Sequence, residues 1–139
     1  MCIRDSPNLN IEFLNVPDGL VPETQDIADV MVLPIKKGFS STSVPSKLPA
    51  YMFSAKPVIA AVDFNGDTSK SIRDSNCGWV CEPENIYELS KTMIIAEKTS
   101  NKKLKEMGSM GYDYAIENFS RKKNLPKLSD IFENLLTAK

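Results

Sequence analysis

The sequence predicts an α/β protein, a Rossmann-like parallel sheet with flanking helices. Two observations carry the prediction. From Ile11 onward, short apolar runs alternate with longer amphipathic stretches, the pattern that yields parallel strands joined by crossover helices. Val58-Ile59-Ala60-Ala61-Val62 also lacks any polar alternation, which suits a central strand covered on both faces.

The elements follow in order. Strands are expected near Ile11 to Asn15, Val30 to Pro34, Pro57 to Val62 and Gly78 to Cys81. Between the second and third, Lys36 to Pro45 is the most loop-like stretch. It leads into a helix for which Ser46 as N-cap and Pro49 at the third helical position is the least strained reading, because proline has no amide hydrogen and suits only a first turn. After the Val58 strand, Asn65-Gly66 reads as a turn, with an aspartate capping a helix from Thr68. Asn85 followed by Glu88 reads as a capping box opening a helix to about Glu97, with Ile86, Leu89, Met93 and Ile94 on one face. Lys102 to Asn118 repeats the pattern, and Gly108 and Gly111 should weaken its middle by roughly 1 kcal/mol each relative to alanine, inviting fraying or a bend. A last helix is expected after Pro126, with Leu128, Ile131, Phe132, Leu135 and Leu136 as an apolar stripe.

Composition removes several function classes. At 139 residues, 42% hydrophobic and 25% charged, the chain holds one domain or a piece of a larger one, and it is neither disordered nor a disulfide scaffold. Seventeen basic against eighteen acidic residues argue against nucleic acid as a partner. The absence of histidine eliminates histidine-centred triads and imidazole metal sites, and no metal is expected. Cys2, Cys77 and Cys81 form no CxxC pair and no apolar run is long enough for a membrane span, which points to a reducing, cytoplasmic setting. Cys77 and Cys81 should pack as small hydrophobes on one side of their strand. Residues 1–7 read as a non-native or disordered leader, leaving 8–139 as the folded unit.

Ligands of open parallel sheets bind beyond the carboxyl ends of the strands, where the Lys36 to Pro45 loop lies. The helix opening at Ser46 offers first-turn amides and a dipole to an anion, with Lys47 adding a full charge and the Ser43 and Ser46 hydroxyls adding donors. An ordinary serine cap beside a solvated lysine explains the same residues. No GxGxxG or GxxxxGKS motif accompanies them, and no catalytic residue is assignable from the sequence.

Four blocks together resemble a known family: Ala28-Asp29-Val30-Met31-Val32-Leu33-Pro34, Val44-Pro45-Ser46-Lys47-Leu48, Lys56-Pro57-Val58-Ile59-Ala60 and Cys77-Gly78-Trp79-Val80-Cys81-Glu82-Pro83-Glu84. In order and spacing they are similar to the C-terminal, donor-binding half of the family 4 retaining glycosyltransferases of GT-B fold, over roughly Asn10 to Phe132. Phe119-Ser120 is similar to the phenylalanine-serine that precedes the last helix of that family. The wording Thr42-Ser43-Val44-Pro45-Ser46-Lys47-Leu48 is especially similar to bacterial transferases that build O-antigen and other surface polysaccharides. The resemblance implies a partial Rossmann-like domain whose residues 42–47 hold the diphosphate of a nucleotide sugar, uridine-linked, as co-substrate and without a separate cofactor. It also implies a missing N-terminal acceptor domain and a polysaccharide or lipid-linked acceptor. The two glutamates of the family, seven residues apart, would fall at Thr42 and Ala50, and neither position is acidic here.

The competing class is a stand-alone, non-catalytic α/β binding or interaction module. Eight basic residues between Lys98 and Lys127, against Glu106, Asp113 and Glu117, make a mild dipole with the acidic first 34 residues. This reads either as solvated helix faces or as attraction to an anionic inner membrane surface. Asp63, Asp67 and Asp74 suggest paired carboxylates less well than they suggest a turn and a cap. Trp79 is expected in the core, and Phe39 as either a lid or a packing anchor.

Overall fold

The computed structural model describes residues 11–39 and 44–137. The leader reading of residues 1–7 therefore lies outside the described residues, as do Thr42 and Ser43.

Among the described residues the elements run α1 (Val21–Asp26), β1 (Met31–Pro34), α2 (Lys47–Phe53), β2 (Val58–Ala61), α3 (Asp67–Ser75), β3 (Gly78–Cys81), α4 (Ile86–Glu97), α5 (Asn101–Asn118) and α6 (Arg121–Thr137). The sheet has the order β1-β2-β3, all parallel, with Met31 opposite Val58 and Val58 opposite Gly78. The α/β prediction holds.

One sheet face carries the main core. Leu48 and Met52 of α2, Ile72 of α3 and Ala115 of α5 pack there with Leu33, Val58, Ala60 and Val62. Helix α4 lies on the other face, over β2 and β3. All four β2 residues, Val58 to Ala61, are buried, so the apolar run behaves as a central strand should.

Both helices that feed β2 and β3 end in a left-handed residue. Ala55 has φ 52, and the Lys56 amide donates to Tyr51 O (3.2 Å) while the Ala55 amide donates to Met52 O (2.9 Å). This is the paired-bond helix ending usually supplied by glycine. Asn76, also at φ 52, closes α3 in the same way, and asparagine tolerates that conformation well.

Several expectations are corrected. No strand forms at Ile11 to Asn15: Ile11, Phe13 and Leu14 are 50%, 55% and 63% exposed. A strand is stable only against a pairing partner, and among the described residues this segment is not hydrogen-bonded to the sheet, whose order is β1-β2-β3. The last helix begins five residues before Pro126, because Ser120 Oγ accepts from the Lys123 amide (3.2 Å) and so caps it. Proline at the sixth position removes a bond to the Lys122 carbonyl, yet the helix continues. Asp67 is the first residue of α3 rather than its cap, which falls on Gly66.

Gly108 and Gly111 produce neither fraying nor an interruption in α5. Both are buried contact points: a Cβ at Gly108 would stand 1.9 Å from the Ala55 carbonyl oxygen, and one at Gly111 would stand 2.8 Å from Cys77 Cβ. Cys77 and Cys81 are buried thiols, pushed above their ordinary pKa chiefly by desolvation. They do not share a side, however. Cys77 precedes the strand and joins the main core, whereas Cys81 is on the α4 face beside Thr92 and Glu88. Trp79, on that same α4 face, is only half-buried and lines an open hollow with Thr99, Lys103 and Met110.

Among the described residues no strand pairs with the outer edge of β1. The Met31 amide donates to Pro57 O (2.9 Å) and the Ile35 amide to Ala61 O (3.0 Å), so the alternate positions Val32 and Pro34 turn their backbone outward. Val32 is 37% exposed. Beside it, a groove of about 340 Å3 runs between β1 and α4, lined by Val30, Val32, Ile59, Met93 and Ala96.

Candidate functional site

Three loops meet at the carboxyl ends of the strands, the position where open parallel sheets bind ligands. The loop after β1 contains Gly38 at φ 83, a conformation that disfavours any side chain. Its amide donates to the Asp63 carboxylate, at 3.1 Å to Oδ2 and 3.4 Å to Oδ1. Asp63 stands just after β2, so one carboxylate ties two loops together across 25 residues of sequence. Lys37 Nζ lies 3.6 Å from Glu82 Oε1, linking the first loop to the one after β3. Both side chains are more than half exposed, so this pair contributes little. We expect Asp63→Ala to cost about 1 kcal/mol and to speed hydrogen exchange at the Gly38 amide, with Asp63→Asn milder because its Oδ1 still accepts. Unchanged exchange at Gly38 in Asp63→Ala would remove this role.

The β3 loop is held by α4. Asn85 Oδ1 accepts from the Glu88 amide (3.1 Å), as the capping box requires. The Glu88 carboxylate departs from the box and accepts instead from the Glu82 amide (2.9 Å). Between β1 and this cap lies an apolar hollow of about 230 Å3, lined by Pro34, Ile35, Ala61, Ile86 and Leu89 among others.

On the other side of the mouth, α3 opens against the β2 loop. Ser69 Oγ donates to Phe64 O (2.6 Å) and Gly66 O (2.8 Å). Arg73 donates to Phe64 O (2.8 Å) and stacks 4.9 Å from the Phe64 ring centroid. Thr68, fully buried, has no partner for its hydroxyl among the described residues. A buried hydroxyl without a bond is destabilising, so the isosteric Thr68→Val should raise stability by about 1 kcal/mol; a lower melting temperature would mean the hydroxyl is used.

The segment expected to hold an anion is only partly as anticipated. Val44 and Pro45 are half-buried, and Ser46 and Lys47 are exposed. Ser46 occupies the N-cap position with helical φ −57 and ψ −23, and its side chain caps nothing. The Leu48 amide is consumed by Pro45 O (3.0 Å), and Pro49 has no amide hydrogen. Among the described residues, the amides at the helix start without a partner are therefore those of Ser46, the N-cap, and Lys47. Ala50, where the resemblance puts a glutamate, is half-buried within α2. Sequence reasoning missed the Asp63 to Gly38 clamp; the glycine in a polar loop was its only local sign.

The turn expected at Asn65-Gly66 is present, the Gly66 amide donating to Asp63 O (3.1 Å), and the less favoured carboxylate pair finds no support among the described residues. Asp63 serves Gly38, Asp67 begins α3, and Asp74 is bonded to Lys70. Among the described residues no cluster of acidic and thiol groups could hold a metal. Phe39 is 66% exposed, with Lys36 Nζ 6.0 Å from its ring centroid.

Over 109 residues the chain is 24% identical to the probable glycosyltransferase WbjE of Pseudomonas aeruginosa. The relationship is to a glycosyltransferase. It covers 78% of this chain and 26% of that protein, so the chain spans about a quarter of the length of its relative. No family model and no solved structure matches. Among the described residues no helix is long and apolar enough to cross a membrane.

Proposed function

We propose that this chain is the donor-binding part of a retaining GT-B glycosyltransferase that moves a sugar from a nucleoside diphosphate to a polysaccharide or lipid-linked acceptor. The observation that carries the reading is the similarity to WbjE across most of the chain, joined to a parallel sheet whose loops converge beyond the strand ends. The open backbone edge of β1 and the uncovered groove beside α4 support a domain continued by further sheet, since parallel strands are normally covered on both faces.

In this reading the diphosphate lies against residues 42–47. The amides of Ser46 and Lys47 and the Lys47 ammonium face negative charge that grows on the leaving diphosphate, the form of stabilisation that most lowers a barrier. The Asp63 clamp on Gly38 fixes the neighbouring loop before the donor arrives. The acceptor comes from the second half of the cleft, so this chain alone supplies one of the two reactants with a site.

Calorimetric titration with uridine diphosphate tests the assignment. Lys47→Ala should weaken binding by about tenfold, the value of one charge-assisted contact, with the melting temperature unchanged because Lys47 is exposed. An unaltered affinity would remove Lys47 from the site, and failure of every nucleoside diphosphate to bind would remove the donor reading. The second reading, an interaction module, is favoured by one observation: α6 presents an apolar stripe that is largely exposed among the described residues.

A further inference from the structure

Trp79 is the single tryptophan of the chain, and it stands on β3, a strand with no partner along its outer side among the described residues. The Val58 amide donates to Cys77 O (3.0 Å) and the Val62 amide to Cys81 O (3.1 Å), so the alternate positions Gly78 and Val80 turn their backbone outward. A hollow of about 560 Å3 opens there. Trp79 and Met110 supply its apolar wall, and Asn76, Lys103 and Glu106 its polar rim. Because Gly78 opens β3, the hollow lies at the amino end of the sheet, away from the loops that converge at the carboxyl ends.

A tryptophan shut into a core usually gives its N–H to an acceptor. Trp79 is only half-buried, and its indole N–H has no partner among the described residues. An indole beside a polar rim suits a pyranose ring, whose C–H face stacks on the aromatic surface while its hydroxyls, each both donor and acceptor, require both kinds of partner. Asn76 offers both, Lys103 donates and Glu106 accepts. The charges favour a neutral ligand. Lys103 Nζ lies 3.2 Å from Glu106 Oε2, so a phosphate arriving at the rim finds a cation already opposed. An apolar side chain seated in the hollow would strip water from the same polar groups and return no hydrogen bond. A peptide strand adding to β3 would find outward backbone at Gly78 and Val80 alone, too short a ladder to hold it. We propose that this hollow binds a neutral oligosaccharide, with one pyranose ring stacked on Trp79 and its hydroxyls bonded to Asn76, Lys103 and Glu106. The proposal is independent of the donor site and stands whether or not residues 42–47 bind a nucleotide.

Trp79 reports on its own site, since all tryptophan emission of the chain comes from it. The full chain is titrated with maltohexaose, cellohexaose, mannohexaose and chitohexaose. At least one should give a saturable blue shift and protect the emission from acrylamide, while uridine diphosphate gives neither. Calorimetry with that sugar should show binding weakened about tenfold in Trp79→Phe and about fivefold in Glu106→Ala, with Glu106→Gln losing less because its amide oxygen still accepts. Glu106 is exposed, so its variants should melt as the original does and keep the comparison clear of folding. Absence of a shift with all four sugars overturns the proposal, as does full affinity in both Trp79→Phe and Glu106→Ala. A stronger response to uridine diphosphate than to any of the sugars would also overturn it. So would a shift that follows protein concentration without sugar, which would assign the hollow to a second copy of the chain.

Discussion

Gly108→Ala should be among the most damaging single changes in this chain, lowering stability by about 3 kcal/mol and the melting temperature by roughly 10 °C. Two effects oppose each other. Alanine is the better helix former by about 1 kcal/mol, and on propensity alone the change would stabilise α5. The added methyl, however, would sit 1.9 Å from the Ala55 carbonyl oxygen, which belongs to backbone held left-handed by the ending of α2. Neither side can yield cheaply. Either α5 withdraws from α2, opening the core around Met52, or the Ala55 turn is distorted. Thermal melting of the variant decides the matter: equal or higher stability would show that the helix contact is looser than described.

The second large effect is expected from Leu48→Ala. Leu48 is fully buried in the first turn of α2, directly after the two residues assigned to the diphosphate. Truncating a packed leucine costs about 3 kcal/mol through lost burial and the cavity left behind. Because the same side chain seats Ser46 and Lys47, uridine diphosphate should also bind more weakly, in contrast to Lys47→Ala, which should lose affinity alone. Denaturant unfolding and titration on the two variants separate anchoring from contact. Normal binding by a destabilised Leu48→Ala would mean that the α2 start does not position the ligand.

What could be read without coordinates was local. The Asn85 cap needs only Asn85 and Glu88, three residues apart, and the apolar continuity of Val58 to Val62 needs only its own residues; both appear as expected. What could not be read depends on distant chain. Ile11 to Asn15 has the composition of a strand, but pairing is not a property of five residues. Gly108 and Gly111 look like flaws in a helix until the surface they touch is known. Asp63 looks like a turn residue, and its service to Gly38 spans a gap no motif records. Cys77 has the same parity as Cys81, yet it precedes the strand and follows the left-handed Asn76, so alternation does not apply to it. At the candidate site, the wording Pro45-Ser46-Lys47-Leu48-Pro49 predicted the helix start correctly but overstated its free amides, because the carbonyl of Pro45 takes that of Leu48. Helix α1 is not among the expectations at all, being short and without a buried face.

Pro34 has a consequence for handling the protein. Of the outward positions on the bare border of the sheet, Val32 alone has a hydrogen to give, and the next is a proline nitrogen. A foreign β-segment approaching that border finds its bonding ladder interrupted after one rung. Concentrated samples should therefore resist fibrillar growth through this flank, even while it stands uncovered.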